Sequence, residues 1–430
     1  MLITIITVVL ALSFLVFVHE LGHFLAAKKV GVHVIEFSIG FPPKLFSRMI
    51  GKTEYMISAI PIGGYVRLKG QGIDDEDEND PENYASKSKA QRFLILVSGA
   101  MMNLLVTLIL LPIVFVIGYE VPAYLDSQPF ISRVEQNSTA ALLDIQAGDR
   151  IVSVNGNSVN TWREVQSALL DTSQEYTSLT LERNGAQMIR QIKSEQLSNP
   201  QGFGWHPSIV PRIGSVASGS PADQSGLKSG DRIVEIDGQP VTDWSQISPL
   251  LQQSGGEPVA VSIIRDNQQL DFQIKPQWLA DQEYWILGIG SPTTRISENL
   301  GQAVVLGVKR VYHLTVRTFE FLFRLISGQE KSESVGGPIM IAKMMGDAAQ
   351  SGISNVLTLV AFISLQFAIF NLLPIPALDG GHIFLLGIEA VTGKTLSKNM
   401  RLSIQRVGFS LLLLLILFIS VQDSLRLFTG

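Results

Sequence analysis

The sequence predicts a polytopic α-helical membrane protein with four transmembrane helices and two inserted α+β domains. Three observations predict this fold class: four long apolar stretches, an internal repeat, and a composition that mixes two kinds of protein. Of 430 residues, 46% are hydrophobic and 17% are charged, and the mean hydropathy is +0.27. This composition is too apolar for an ordinary soluble protein and too polar for a chain that lies wholly within a bilayer.

The four apolar stretches lie at 1–18, 93–119, about 356–373 and 407–421. Each is close to the roughly 20 residues that a helix needs to cross the hydrocarbon of a bilayer. The first stretch has no basic segment before it and no small-residue cleavage site, so we interpret it as a retained helix and not as a signal peptide. The lipid bilayer is therefore a predicted partner.

Basic residues near the helix ends predict the orientation of the chain. They lie in the loop after helix one and in the loop between helices three and four. With four spans, these two loops are on the same side of the membrane. Basic loops face the cytoplasm, so the segment from about 121 to 354 is predicted to lie outside. The basic residues are Lys28, Lys29, Lys87, Lys89, Arg92, Lys394, Lys398, Arg401 and Arg406.

The outer segment contains an internal repeat. Residues 147–165 and 229–247 are related by an offset of 82 positions, and eight of nineteen aligned residues are identical. Each copy has a Gly-Asp turn, a short apolar strand and an Asn-Gly or Asp-Gly pair typical of a hairpin turn. The spacing predicts two similar α+β domains of about 80 residues.

Charge and cysteine content exclude several classes of site. The net charge is -5, which provides no basic surface for nucleic acid, and the chain has no cysteine. Disulfides and thiolate metal sites are therefore excluded. A zinc ion, if present, must be held by histidine and carboxylate ligands.

The string HELGH at 19–23 continues the first apolar stretch. On a helix, His19 and His23 lie on one face, so both imidazoles can bind one metal ion. Glu20 lies beside that metal position and can accept a proton from water. Ionisable groups are costly at membrane depth and indicate function there. We therefore predict a metal site with hydrolytic chemistry at this point of helix one.

A third ligand is expected because catalytic zinc usually has three protein ligands and one open position. Helices one and three run in the same direction, so the end of helix three reaches the depth of HELGH. That end reads NLLPIPALDGGH at 371–382, in which two prolines break the helix and the Gly-Gly pair frees the backbone. Asp379 is the predicted third ligand, and a plain helix-breaking loop is the alternative.

Together these motifs resemble the site-2 protease family of intramembrane zinc metalloproteases, and especially its bacterial members. The resemblance extends over nearly the whole chain and includes the order of its parts. It implies that His19, His23 and Asp379 bind one Zn²⁺ and that Glu20 is the general base. It also implies that Asn371 hydrogen-bonds the substrate backbone, with a helix-helix contact as the alternative.

Other segments fit the same resemblance. The repeats are similar to a tandem of PDZ domains in the permuted bacterial order, which either capture an extended peptide or act as rigid spacers. Residues 37–46 and 54–68 resemble a membrane-associated re-entrant β-hairpin, whose open edge can pair with an unwound substrate; simple core packing is the alternative. Of the family's motif in helix two, Asn103 is the one residue that we match in this sequence. His382 is interpreted as a structural residue and not as a ligand.

The predicted organisation has five parts. They are helices one and two with the β region at 1–120, the first PDZ-like domain at 121–204, the second at 205–292, an interfacial helical segment at 293–355, and helices three and four at 356–430.

The resemblance implies an enzyme that cleaves within the transmembrane segment of single-span membrane proteins already trimmed on their outer side. An anti-sigma factor or a signal-peptide remnant is such a substrate. The implied location is the bacterial inner membrane, with periplasmic PDZ-like domains and the active site toward the cytoplasm. The alternatives are a catalytically silent peptide-binding scaffold and a metal transporter. Intact HELGH disfavours the scaffold, and the scarcity of polar groups along the helices disfavours the transporter.

Overall fold

The computed structural model describes residues 2–71, 80–169, 175–194, 203–279, 284–329, 336–393 and 398–429. Lys394, one of the predicted topogenic residues, lies outside these ranges. The chain forms two compact units. One contains Met1–Tyr119 and Ser297–Phe428, and the other contains Glu120–Ile296. Both predicted PDZ-like segments therefore fall largely within the second unit.

In the part of the chain that the structure describes, four helices of the first unit are long and apolar enough to cross a membrane, as the four apolar stretches predict. Further helices accompany them. Among the described residues, the helices of this unit are α1 Leu2–Lys29, α2 Lys89–Ile117, α7 Leu300–Ile326, α8 Pro338–Ser351, α9 Ile353–Leu372, α10 Asp379–Thr392 and α11 Lys398–Thr429. The segment predicted to be interfacial contains α7 and α8, and α10 follows the third apolar helix.

Helix α2 packs against both α1 and α9, and small and polar side chains make these contacts close. A side chain at Gly22 of α1 would collide with the carbonyl oxygen of Ser98 on α2. The Thr107 hydroxyl donates to the Ala361 carbonyl at 3.1 Å, and the Ser364 hydroxyl donates to the Asn103 carbonyl at 2.8 Å. Helix α2 therefore holds the end of α1 and the length of α9 in one arrangement.

The Asp379 segment differs in detail from the sequence expectation. It is not an open loop, because α10 begins at Asp379 itself. The Gly-Gly pair lies in the first turn of this helix, where side chains would collide with the carbonyls of Leu373 and Ile375. These glycines therefore permit close packing and do not free the backbone. Backbone strain lies earlier, at Ala377, whose φ of 78° is rare for a residue with a side chain.

The predicted β-hairpin is present as β1 Val34–Ile50 and β2 Thr53–Leu68, and it folds back on itself. Residues 36–39 pair with 64–67 and also with 54–57, and 44–50 pair with 53–58. The two strands thus form a sheet of four segments in which 64–68 is an edge. Its surface exposes large apolar side chains, which suits a position within lipid: Ile39, Phe41, Leu45, Phe46, Met49, Ile50, Ile57 and Ile60.

Within its described residues, the second unit contains two copies of one arrangement, each with a four-stranded antiparallel sheet and short helices. The first sheet has the order β6-β5-β7-β8 and the second has the order β12-β11-β13-β14. The helices are α3 Thr139–Leu142, α4 Trp162–Leu169, α5 Pro221–Ser225 and α6 Ile247–Gln253. The strands of the first copy are β4 Ile131–Val134, β5 Arg150–Val154, β6 Asn157–Ser158, β7 Tyr176–Arg183, β8 Ala186–Lys193 and β9 Trp205–Pro207. Those of the second are β10 Ser215–Val216, β11 Arg232–Ile236, β12 Gln239–Pro240, β13 Val259–Arg265, β14 Gln268–Ile274, β15 Gln277–Leu279, β16 Tyr284–Ile286 and β17 Ile289–Gly290. Two flanking strands, β3 Tyr119–Pro122 and β18 Thr293–Ile296, pair with each other.

The repeated Gly-Asp turn has the same interactions in both copies. Asp149 is buried and accepts two hydrogen bonds from the guanidinium of Arg183, at 2.6 and 2.8 Å. Asp231 is equally buried and accepts two from Arg265, both at 2.7 Å. Each aspartate thus joins its turn to the end of a neighbouring strand, which explains why the sequence repeats there.

Candidate metal centre

Three potential metal-ligand atoms, two from α1 and one from the start of α10, lie close together in the first unit. His19 Nε2 and His23 Nε2 are 3.1 Å apart. Asp379 Oδ2 lies 3.0 Å from the first and 3.3 Å from the second. Ligands at about 2.1 Å from a tetrahedral zinc ion are separated by about 3.4 Å. The triangle therefore has nearly the dimensions that a zinc ion requires.

The orientation of these atoms also fits a cation. Asp379 Oδ2 is buried and close to both imidazoles, yet it accepts a well-aligned hydrogen bond from neither. A carboxylate oxygen that lies between two imidazole nitrogens without a hydrogen bond to either is available to bind a cation. The set of two imidazoles and one carboxylate also matches the known donor chemistry of catalytic zinc.

The outer nitrogen of each imidazole has its own partner. His23 Nδ1 lies 2.7 Å from the carbonyl of Ile95, to which it can donate a proton. His19 Nδ1 lies 3.3 Å from Asn103 Nδ2, while Asn103 Oδ1 is buried and has no hydrogen-bond partner among the described residues. A half-turn of the Asn103 amide places its oxygen against His19 Nδ1 as an acceptor. Both Nε2 atoms are then unprotonated and free to bind a metal.

Gly99 on α2 leaves room for the two imidazoles. An added Cβ at this position would lie 2.5 Å from His23 Nε2 and 2.7 Å from His19 Nε2. Reasoning from the sequence did not identify this residue. The available signal was a glycine four residues before Asn103 on a predicted membrane helix, where a small residue allows two helices to approach closely.

A cavity of about 260 Å³ joins all five predicted site residues. Glu20 reaches it from the same helix as the histidines, and its Oε2 accepts a hydrogen bond from the Val66 backbone N–H at 3.0 Å. Val66 lies on the edge segment of the β sheet. Asn371, at the end of α9, lines the cavity as well. The lining residues that matter here are His19, Glu20, His23, Val66, Asn371 and Asp379.

Three of the other histidines have partners outside the ligand triangle. His33 contacts the Lys52 carbonyl at 2.7 Å, His206 contacts Glu135 at 2.9 Å, and His382 lies 3.2 Å from the Gln405 amide. Within the described ranges of the chain, His19, His23 and Asp379 are the one group of three side chains able to hold a metal ion.

Comparison with known proteins places this site in a family. The sequence model described as "Peptidase family M50" matches residues 7–415, which is nearly the whole chain. The chain belongs to peptidase family M50. It is a zinc metalloprotease, and His19, His23 and Asp379 lie within the matched region.

Full-length relatives are similar over almost their entire length. Regulator of sigma-E protease RseP of Escherichia coli K12 is 32% identical over 449 residues, which cover 97% of this chain and 98% of the relative. The protein of that name from Salmonella typhimurium strain 14028s is 30% identical over 449 residues, with the same coverage. A Neisseria meningitidis serogroup A protein named as a zinc metalloprotease is 30% identical over 447 residues, 99% of both chains.

Solved structures match shorter parts of the chain. A PDZ domain from a Listeria monocytogenes protein covers 19% of this chain at 22% identity, with 84% of its own length matched and a TM-score of 0.18. The HtrA3 PDZ domain covers 15% at 31% identity, with 62% of its own length matched and a TM-score of 0.14.

Proposed function

We propose that this M50 peptidase hydrolyses a peptide bond within the membrane, with His19, His23 and Asp379 as ligands of one zinc ion and Glu20 as general base. The observation that carries the proposal is the convergence of the three ligand atoms beside Glu20 in one cavity. The HELGH string lies within a helix that is apolar enough to span a bilayer. A hydrolytic site at that depth acts on peptide bonds that lie in the membrane.

A zinc ion held by His19, His23 and Asp379 would polarise the scissile carbonyl and lower the pKa of a water molecule. Glu20 accepts a proton from the attacking water and passes it to the leaving amine, as a general base and then a general acid. The Val66 N–H holds the Glu20 carboxylate toward the cavity. His23 and His19 are held in the ligating tautomer by Ile95 and by Asn103 in its rotated form.

We propose that the substrate binds the sheet edge as an extended segment. Residues 64–67 pair with 36–39 on one side, and at Val66 the other side of the edge faces the catalytic cavity. A peptide bond within a helix is shielded by its own hydrogen bonds, so a cleavable segment must unwind, and an edge strand can pair with it. Asn371 lines the same cavity, where its amide can hydrogen-bond the substrate backbone.

The substrate class follows from the membrane location. We propose single-span membrane proteins already trimmed on their outer side, such as an anti-sigma factor. The RseP relatives, whose names refer to the regulation of sigma-E, support this class. The distribution of basic residues supports an inner-membrane orientation with the repeat unit in the periplasm and the zinc site toward the cytoplasm.

The two outer repeats are proposed to be PDZ-like domains that filter substrates by size or bind a peptide. A cavity of about 630 Å³ favours peptide binding; most of its lining comes from the second copy, and Arg133, His206 and Pro207 of the first copy complete it. It lies between α6 and β16, and a helix beside a strand is the arrangement through which PDZ domains capture extended chains. Its apolar lining includes Trp244, Ile247, Leu251, Tyr284 and Leu287.

The proposal is tested by measuring zinc content and cleavage of a model single-span substrate in wild type and in Glu20→Gln. Glu20→Gln should retain zinc, because no ligand is lost, and cleavage should fall by at least about 100-fold. Cleavage by this variant at the wild-type rate would show that Glu20 is not the base.

A further inference from the structure

A buried pair of opposite charges lies away from the catalytic cavity, between the first turn of α2 and the end of α10. Arg92 is 9% exposed and Glu389 is 2% exposed. Arg92 Nη1 lies 3.7 Å from Glu389 Oε2. Lys89, in the same turn of α2, donates to the Glu389 backbone carbonyl at 2.8 Å. Two cationic side chains of α2 thus hold the last turns of α10.

This pair is poorly suited to stabilising the fold. Its separation is long for a charged hydrogen bond, and Arg92 Nε is buried without a hydrogen-bond partner among the described residues. Removal of two charges from water is costly, and apolar residues of similar size are often at least as stable in such places. A buried pair does, however, make any axial position of α10 that separates the two charges costly in free energy, because each charge would then be buried without its partner.

The position of Arg92 on α2 connects the pair to the metal centre. Arg92, Gly99 and Asn103 are spaced by seven and four residues, so they lie on one face of the helix. Gly99 contacts both imidazoles and Asn103 contacts His19. The same face that positions the two histidines therefore also holds Glu389.

Glu389 lies ten residues after Asp379 on α10, which corresponds to about 15 Å along a helix. The first turn of α10 packs against the backbone of 372–376, and its last turn is held by α2. An axial shift of α10 would break the Arg92–Glu389 contact and would move Asp379 away from His19 and His23.

We propose that the Arg92–Glu389 pair is a positioning device that sets the register of α10 on α2 and thereby places the Asp379 carboxylate at the zinc site. The inference rests on the proposed function, since it assumes that Asp379 is a zinc ligand. Arg92 and Glu389 are positioning residues, because neither lines the catalytic cavity.

The test uses the full-length protein in detergent and measures zinc affinity by chelator competition, together with thermal unfolding of the metal-free protein. Glu389→Gln and Arg92→Gln should each weaken zinc binding by about 10- to 100-fold, the range expected when a metal ligand loses the support that positions it. The visible spectrum of the Co²⁺-loaded protein should change in the same variants, because the third ligand is displaced.

Two double variants separate positioning from simple stability. The exchange Arg92→Glu with Glu389→Arg keeps the attraction and should restore most of the zinc affinity. The apolar pair Arg92→Met with Glu389→Leu should unfold at a temperature no lower than the single variants, yet bind zinc weakly. Glu82→Gln is the matched control, because it breaks the exposed Lys52–Glu82 pair of the same unit and should leave zinc affinity unchanged.

Wild-type zinc affinity in Glu389→Gln, or in the apolar pair, would overturn the positioning role. Asp379→Ala distinguishes this failure from failure of the proposed site. If Asp379→Ala loses zinc while Glu389→Gln retains it, the positioning inference alone is wrong. If Asp379→Ala retains zinc, the ligand assignment itself is wrong.

Discussion

Gly99 of α2 lies directly against His23 of α1, where an added Cβ would be 2.5 Å from the imidazole Nε2. The Nε2 atom is the one that faces His19 and Asp379, so the ligand triangle depends on the absence of a side chain at Gly99.

Gly99→Ala should therefore displace the imidazoles and weaken zinc binding by at least about tenfold. Zinc content after dialysis against a chelator measures this effect. Gly387→Ala is the control, because Gly387 lies on α10 with open space around its Cβ position. Equal zinc retention in both variants would contradict the packing argument.

Asp379→Ala should remove the third ligand. We expect the zinc affinity to fall by well over about 100-fold, because a direct ligand contributes more than an outer-shell partner. Elemental analysis of the purified protein checks the prediction. Full zinc occupancy would mean that another residue completes the coordination shell.

Asn103→Ala should weaken zinc binding by about 10- to 100-fold, because His19 Nδ1 then loses its acceptor and the ligating tautomer is no longer favoured. Asn103→Asp keeps an acceptor oxygen in the same place and should retain zinc better. Chelator competition on both variants tests the difference. Equal affinities for Asn103→Ala and Asn103→Asp would show that the acceptor is unimportant.

Deletion of 120–296, with a short flexible linker in its place, should separate two properties of the enzyme. Cleavage of a trimmed single-span substrate should persist, because none of the proposed ligands lies in this unit. Cleavage of the same substrate with its folded outer domain should rise if the repeats act as a size filter. Loss of both activities in a folded, zinc-loaded deletion variant would indicate that the repeats present the substrate instead.

The second repeat should lose stability in acid through Asp231. Burial raises the pKa of Asp231, but hydrogen bonds from Arg265 and from the Lys228 N–H outweigh it and lower the pKa below the ordinary 3.8. A depressed pKa in the folded state gives a stabilisation that is present above pH 3.8 and is lost as the pH falls through the folded-state pKa. Asp231→Asn should cost about 2–3 kcal/mol at neutral pH and should reduce this acid dependence. Thermal unfolding between pH 3 and 7 measures both effects.

The membrane helices and the metal motif could be predicted because their signals are local. An apolar stretch of about 20 residues requires a helix in lipid, since no other backbone partner is available there. The i, i+4 spacing of His19 and His23 follows from helix geometry alone. The number of apolar helices agrees with the four candidate spans of the structure. The repeat was equally visible, because the Gly-Asp and Asn-Gly turns need particular residues at fixed positions.

Other features depend on contacts between distant segments. The folded-back β sheet could not be predicted. Residues 36–39 pair with two parts of β2 at once, and this double pairing depends on tertiary packing and not on a local sequence pattern. The start of α10 at Asp379 was missed because two preceding prolines indicated an open loop.

The sequence by itself therefore determined the helices, the repeat and the residue types able to hold zinc. The tertiary structure decided which atoms meet: Gly99 against His23, Val66 against Glu20, and Arg92 against Glu389. The physical reason is that periodicity and local turn chemistry act over a few residues. The approach of two helices depends instead on the shapes of side chains separated by tens or hundreds of positions, and no local pattern records those shapes.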